Sequence, residues 1–148
     1  MIDDIDRRIV RELEKDGRIT NAALSERIGL SASACLRRVQ ALEDAGVVAG
    51  YRAVIDRSKL DGGLKVYVAV GLARHLKTDQ EAFERAMNAA PEVLECHNVS
   101  GTIEYLLLVE VRDLATYKHF HTEILGMVPE VASITSYFVM GSPKNMRG

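Results

Sequence analysis

The sequence predicts an α+β protein, with an N-terminal winged helix-turn-helix domain over residues 1–62 and a C-terminal ferredoxin-like βαββαβ domain over residues 63–148. Three short amphipathic helical segments come first, and a glycine turn separates the second from the third. The pattern then changes to strands alternating with helices. The change follows Asp61-Gly62-Gly63, where glycines and a polar residue favour a break between domains.

The first two helices are indicated by apolar spacing and by terminal residues. Residues 3–16 predict a helix that Gly17 ends, and Thr20 is a suitable N-cap for a second, shorter helix. The apolar residues expected to face inward recur at helical intervals: Ile2, Ile5, Ile9 and Leu13 in the first helix, Ala23, Leu24 and Ile28 in the second.

A third helix is expected from about residue 32 to residue 45, with an apolar stripe of Cys35, Val39 and Leu42. Gly29 can adopt the left-handed conformation of a tight turn before it, and Ser31 can cap its start. Gly46 ends it. Val47–Ile55 has strand character and predicts a β-ribbon after the helices.

The second half predicts the order βαββαβ. The first strand is Lys65–Ala73, and Thr78-Asp79-Gln80-Glu81 has the form of a capping box for the helix that Pro91 ends. Asp113 is expected to cap the second helix. The apolar residues predicted on the two helices are Phe83, Ala86, Met87 and Ala90, then Leu114, Tyr117, Phe120 and Ile124; the remaining strands are Val93–Val99, Glu104–Val111 and Val131–Met140.

Apolar residues on both faces of a strand predict a dimer. In Tyr105–Val111, alternate side chains point to opposite faces, and both sets are mostly apolar. Two helices cover only one face of a four-stranded sheet. A second copy of the chain is the simplest cover for the other face.

Composition limits the class of protein. Of 148 residues, 47% are hydrophobic and 27% charged, and the longest apolar runs are too short to cross a bilayer. The N-terminus lacks the pattern of a secretory signal, so a cytoplasmic protein without a membrane partner is expected. Two distant cysteines, Cys35 and Cys96, favour free thiols over a disulfide framework.

The net charge of −2 is not that of a strongly basic protein, and residues 1–62 hold eleven basic and eleven acidic residues. The third helix of a helix-turn-helix fits the major groove of DNA. Because the chain is not basic overall, its affinity for DNA must come from a local patch of positive charge. The third helix offers one, because its outer side bears hydroxyls and Arg37 beside a helix N-terminus that favours phosphate. The candidate DNA contacts are Thr20, Ser31, Ser33, Leu36, Arg37 and Arg38.

The two arginines have alternative interpretations. Either can pair with acidic neighbours such as Glu43 or Asp44 on a solvated surface. Arg38 adjoins the apolar stripe, so a structural role against the first helix is also open. Arg37 is the better candidate for a direct DNA contact.

Motifs along nearly the whole chain resemble the Lrp/AsnC (feast/famine) regulators. The N-terminal motifs are Ile2-Asp3-x-Ile5-Asp6-Arg7-Arg8-Ile9, Ile19-Thr20, Leu24-Ser25-Glu26-Arg27-Ile28-Gly29-Leu30-Ser31, Cys35, Arg38-Val39, Leu42-Glu43, Gly46-Val47-Val48 and Gly50-Tyr51. The C-terminal motifs are Pro91-Glu92-Val93, Val99-Ser100-Gly101, Glu104-Tyr105-Leu106-Leu107, Val111-x-Asp113 and Pro129-x-Val131. Both halves occur in the right order, which makes the resemblance specific.

The resemblance implies a transcription regulator that binds double-stranded DNA. It also implies dimers formed by the C-terminal sheets, a larger even-numbered assembly such as an octamer, and an amino acid or related effector bound between dimers. The effector-binding candidates that it implies are Gly101, Thr102, Glu104, Tyr105 and Ser136.

The effector loop departs from the family pattern. That pattern is usually Gly-Asp-x-Asp-Tyr, whereas residues 101–105 read Gly-Thr-Ile-Glu-Tyr; the two threonines that often occupy the last strand correspond to Ile134 and Ser136. An unusual amino acid, another metabolite and no effector at all remain alternatives.

A second hypothesis is a small ferredoxin-like enzyme or metabolite-binding protein, suggested by the proximity of His97, Glu104 and Tyr105 in the sequence. No phosphate loop, nucleophile elbow or zinc motif occurs. Cys96 and His97 point to opposite faces of a strand, and His119 and His121 do not share a helix face. The regulator interpretation therefore assigns no catalytic residue, no metal and no cofactor.

Overall fold

The computed structural model describes residues 1–147. The chain forms two compact units, Met1–Val54 and Ile55–Gly148. Residues 55–62 thus group with the second unit, and the domain boundary placed after residue 62 stays a prediction. A search of the described part of the chain finds no helix that is both long and apolar enough to span a membrane.

The first unit contains the three expected helices: α1 (Asp4–Lys15), α2 (Asn21–Ile28) and α3 (Ala32–Asp44). Their buried side chains meet in one core, which confirms the apolar stripes read from the sequence. The fully buried members are Ile9, Leu24, Ile28, Cys35 and Leu42. Val39 is partly buried against them.

Local capping explains where these helices begin and turn. Thr20 Oγ1 accepts the N–H of Ala23 at 3.1 Å, and Ser31 Oγ accepts the N–H of Ala34 at 3.2 Å, as expected for N-caps. Gly29 has φ 82°, the left-handed value that the turn between α2 and α3 requires.

Gly17 follows the end of α1, as expected, but it does not adopt the left-handed conformation of a C-terminal glycine cap. The helix ends at Lys15, and its C-cap is Asp16 in an extended conformation. A Cβ built on Gly17 would lie 3.3 Å from the ring of Tyr51. The absence of a side chain there serves the approach of the Tyr51 ring.

The ribbon predicted at Val47–Ile55 is also wrong, since the structure has no strand in this segment. The N–H groups of Val47 and Val48 instead donate to the carbonyl of Leu42, at 2.9 and 3.2 Å, and close the end of α3. A strand needs a neighbouring backbone for its hydrogen bonds. Within the part of the first unit that is described, no other segment pairs with residues 47–55 as a strand.

The second unit has the expected βαββαβ order. Its strands are β1 (Leu64–Leu72), β2 (Val93–Asn98), β3 (Tyr105–Val111) and β4 (Val131–Phe138), and its helices are α4 (Lys77–Ala89) and α5 (Leu114–His119). A π-helical turn, Phe120–Ile124, continues α5, and short 3-10 turns lie at Arg57–Lys59 and Leu125–Met127. The sheet order is β2-β3-β1-β4, with antiparallel neighbours throughout.

Both helices cover one face of this sheet, here called the covered face. Its buried residues come from alternate positions of the central strands and from the helices: Val66, Val68, Val70, Tyr105, Leu107, Val109, Phe83, Met87, Tyr117 and Phe120. Leu114 was expected in the same core, but it is 65% exposed at the first position of α5. Burial therefore begins one turn later, at Tyr117.

The capping box predicted at residues 78–81 is not formed. Leu76 is the N-cap of α4 and offers no side-chain hydrogen bond, so Thr78 lies inside the first turn. Asp79 is buried, and its Oδ1 pairs with Arg74 Nη2 at 2.9 Å. The helix starts two residues earlier than the Thr-x-x-Glu pattern requires.

The other face of the sheet, here called the open face, is partly apolar. Tyr67 pairs with Leu108 on one side and with Tyr137 on the other, while Ala69 pairs with Leu106. The side chains of Tyr67 and Tyr137 are 43% and 57% exposed. The alternation predicted for β3 is confirmed, because its residues are alternately buried and half-buried.

Candidate nucleic-acid interface and effector site

The exposed side of α3 carries most of the predicted DNA contacts. Leu36 is 46% exposed, and Ser33 and Arg37 are exposed beside it. Within residues 1–147, Arg37 forms no hydrogen bond or ion pair and is not held by Glu43 or Asp44. Its guanidinium is therefore available to a ligand outside the chain.

Arg38 has a different environment on the same helix. Its Nη1 donates to Asp3 Oδ2 at 2.8 Å and to Asp6 Oδ1 at 3.0 Å. Asp3 also accepts the backbone N–H of Asp6, at 2.8 Å. The backbone N–H of Asp6 and the guanidinium of Arg38 together lower the pKa of Asp3 from 3.8 to about 2. Arg38 thus ties α3 to the start of α1.

Hydroxyls and backbone N–H groups lie at the start of α3. Ser31 and Ser33 have their Oγ atoms 3.4 Å apart, and Ser31 caps the helix. Thr20 has the corresponding position at the start of α2. Helix N-termini with free N–H groups favour phosphate oxygens. The N-termini of α2 and α3 therefore both suit contacts with a nucleic-acid backbone.

Asn21 is a residue of this region that the sequence reasoning missed. Its Nδ2 donates to the carbonyl of Ala32 at 2.8 Å and so joins the first turn of α2 to the first turn of α3. Its Oδ1 is buried and has no partner among the described residues. The available signal in the sequence was the amide side chain of Asn21, one position after the N-cap Thr20. This signal was insufficient, because the hydrogen-bond partner of Asn21, Ala32, lies eleven residues away.

The predicted effector loop lies between β2 and β3. Gly101, with φ 132°, and Thr102 are exposed in it. The Glu104 side chain is only 15% exposed. Its Oε2 accepts the N–H of Leu72 at 2.8 Å, and its Oε1 lies 2.9 Å from Nδ1 of His75. The loop thus brings a carboxylate to the end of β1.

Two further residues complete this environment, and the sequence reasoning missed both. A Cβ built on Gly71 would collide with Ser133 Oγ and would lie 3.6 Å from Glu104 Oε2. Gly71 and Ser133 are register partners on β1 and β4. Strand alternation could have found Ser133, because the apolar Ile134 beside it marks the opposite face.

Tyr105 and Ser136, the other predicted effector contacts, have partners beneath the helices. The Tyr105 hydroxyl donates to Glu84 of α4, and burial raises the pKa of Tyr105. Ser136 Oγ lies 2.5 Å from the hydroxyl of Tyr117. Both side chains are on the covered face, whereas the Glu104 carboxylate lies above Gly71. Their role in binding an effector stays a prediction.

The enzyme hypothesis rested on His97, Glu104 and Tyr105. Tyr105 and Glu104 direct their polar groups to different faces, while His97 Nε2 lies 3.4 Å from Glu95 Oε1. Among residues 1–147, no group of three His, Cys, Asp or Glu side chains is arranged to hold a metal ion. Cys35 and Cys96 are free thiols, and burial raises the pKa of each.

The first unit is a helix-turn-helix, and the helices of the second unit cover only one face of its sheet. This combination defines a class of ligand-responsive transcription regulators. Family models support each half: residues 2–49 match a winged helix-turn-helix DNA-binding domain, and residues 65–148 match the Lrp/AsnC ligand binding domain. The chain belongs to the Lrp/AsnC family.

Individual proteins agree with this assignment. The leucine-responsive regulatory proteins of Escherichia coli K12 and Salmonella typhimurium are each 42% identical over 143 residues, which cover 97% of this chain and 87% of each relative. A transcriptional regulator from Neisseria meningitidis, solved in complex with L-Met, superposes with a TM-score of 0.93 at 36% identity over 98% of this chain and 94% of that one. An AsnC family regulator from Agrobacterium tumefaciens gives 0.91 at 32% identity, over 99% and 95%.

Proposed function

We propose that the exposed side of α3 enters the major groove of double-stranded DNA and that Arg37 is its main base-reading side chain. The observation that carries this proposal is the contrast between two adjacent arginines. Arg38 is held by Asp3 and Asp6, while Arg37 has no partner among residues 1–147. An exposed guanidinium on a groove-sized helix suits the paired acceptors of guanine.

The other candidate residues contact the phosphate backbone, contact a base or hold the helix in place. Ser31, Ser33 and Thr20 serve the phosphate backbone from two helix N-termini. Leu36 offers an apolar contact to a thymine methyl group. Arg38 holds α3 at the correct angle and contributes little direct readout. The regulator works in the cytoplasm, where its DNA lies.

The second unit binds an amino-acid effector at the loop that contains Gly101, Thr102 and Glu104. The relatives motivate this class of ligand, because one is named for its response to leucine and another was solved with L-Met. Glu104 supplies a carboxylate that can receive the effector's ammonium group. L-Methionine and L-leucine are the first candidates. The regulator needs no resident cofactor.

The open face supports dimer formation. Tyr67, Leu106, Leu108 and Tyr137 form an apolar surface that the helices of the second unit do not cover. A second sheet can cover it face to face, at the spacing of a β-sandwich. Two helix-turn-helix units in one dimer then read two half-sites. Larger even-numbered assemblies, such as an octamer, follow from contacts between dimers.

Fluorescence anisotropy with the protein's own upstream DNA, at a fixed salt concentration, tests the DNA-binding proposal. Arg37→Ala should weaken specific binding by about 1–3 kcal/mol and relax specificity. Arg85→Ala, the same change at an exposed position of α4, is the matched control and should have no effect. Equal affinities for the wild type and Arg37→Ala would remove Arg37 from the interface.

A further inference from the structure

Both oxygens of the Glu104 carboxylate are already engaged within the chain. The backbone N–H of Leu72 holds Oε2 at 2.8 Å, and the His75 imidazole lies 2.9 Å from Oε1. The two contacts differ in kind. The first is a backbone hydrogen bond that fixes the carboxylate at the edge of β1, and the second comes from a side chain that is 79% exposed.

The loop that carries His75 is anchored at both ends. Before His75, the N–H of Ala73 donates to the carbonyl of Glu130 at 2.9 Å; after it, the carbonyl of Leu76 accepts the N–H of Gln80 at 3.1 Å. The backbone of the loop is therefore held while the imidazole itself stays largely in solvent. His75 can rotate away from Glu104 without unfolding the loop.

The polar surroundings of the Glu104 carboxylate suit a small cationic group. A Cβ built on Gly71 would collide with Ser133 Oγ and would lie 3.6 Å from Glu104 Oε2, so the bare glycine makes room for this hydroxyl beside the carboxylate. A primary ammonium has three donors, which a carboxylate and a hydroxyl can accept in part. A side chain at position 71 would displace this hydroxyl.

We propose that His75 occupies the position that the ammonium group of an amino-acid effector takes, and that binding replaces the His75–Glu104 contact. The inference rests on the proposed effector function. It makes His75 a specificity-determining residue. A ligand must compete with an internal hydrogen-bond donor for Oε1, so ligands without a positive charge gain too little to displace it.

Calorimetric titration of the full chain tests this competition, with L-methionine, L-leucine and 2-hydroxy-4-methylthiobutanoate, which has a hydroxyl in place of the ammonium. His75→Ala should bind the amino acids roughly two- to fivefold more tightly, the range expected when an exposed pair stops competing. His75→Lys places a permanent ammonium near Oε1 and should weaken them. Glu104→Gln should lose the preference for the amino acids over the hydroxy acid.

His97→Ala is the matched control, because His97 is an exposed histidine of the same unit that contacts Glu95. Its affinities should equal those of the wild type. Unchanged or weaker amino-acid binding in His75→Ala, with an unaltered unfolding temperature, would overturn the proposal. A wild type that binds neither amino acid but still binds DNA through Arg37 would also overturn it and leave the DNA-binding proposal standing. If Arg37→Ala binds DNA as tightly as the wild type, only the DNA-binding proposal is contradicted.

Discussion

Arg38 on α3 donates to Asp6 on α1 across 3.0 Å, although 32 residues separate them in the sequence. The same Nη1 reaches Asp3, the N-cap of α1, at 2.8 Å. One guanidinium therefore bonds both carboxylates of the capping box that starts the first helix. This contact fixes the orientation of α3 and separates the role of Arg38 from that of Arg37.

Arg38→Met should lower the urea midpoint of the full chain, because it leaves the Asp6 carboxylate, only 11% exposed, without its cation. Arg37→Met is the control and should change the midpoint very little, since Arg37 is exposed. Equilibrium urea unfolding at pH 7, followed by circular dichroism, provides the measurement. Equal midpoints for the two variants would contradict the structural role of Arg38.

Asp3 should make stability depend on pH in the acid range. Its pKa is lowered from 3.8 to about 2 in the folded chain, so its stabilising effect is complete above the unfolded value and is lost as the pH falls through about 2. Asp3→Asn keeps an N-cap residue but should flatten the decline in stability between these values. Urea midpoints measured from pH 5 to pH 2 would show it; parallel curves for the two proteins would exclude this role.

Thr20 and Thr78 should respond differently to the same substitution. Thr20→Ala removes the acceptor of the Ala23 N–H and should cost about 1 kcal/mol of unfolding free energy. Thr78→Ala should stay within about 0.5 kcal/mol, because Thr78 caps nothing. Chemical unfolding gives the free energy of unfolding of both variants. A larger loss for Thr78→Ala than for Thr20→Ala would support the capping box predicted at residues 78–81.

Leu108→Asp should disrupt the proposed dimer. It places a charge in the middle of the open face, beside its register partner Tyr67. Leu114→Asp introduces the same charge at an exposed position on the covered side of the sheet and is the control. Light scattering after gel filtration should give a lower mass for Leu108→Asp than for the wild type, whereas Leu114→Asp should keep the wild-type mass. A wild-type chain with the mass of a single copy would refute the dimer.

Local patterns were sufficient for much of the fold. The caps at Thr20, Ser31 and Asp113 and the turn at Gly29 were predicted because their hydrogen bonds and backbone angles involve residues only a few positions away. The same local reasoning failed at Thr78 and at Val47–Ile55. A capping box needs the helix to start at one residue, and a strand needs a neighbour that sequence alone does not supply.

The candidate sites divide in the same way. The helical period placed Arg37 outward and Arg38 next to the apolar stripe, so their different environments could be predicted. The family resemblance pointed to Glu104, but His75 and Ser133 reach it only because β1 lies between β3 and β4.

The sequence by itself determined the helix starts at Thr20, Ser31 and Asp113, the alternation of β3 and the family, because these depend on near neighbours and on residue types in order. Tertiary structure alone decided which acids hold Arg38 and which imidazole meets Glu104. Those partners are far apart along the chain, and only packing of the helices and closure of the sheet bring their charges within hydrogen-bond distance.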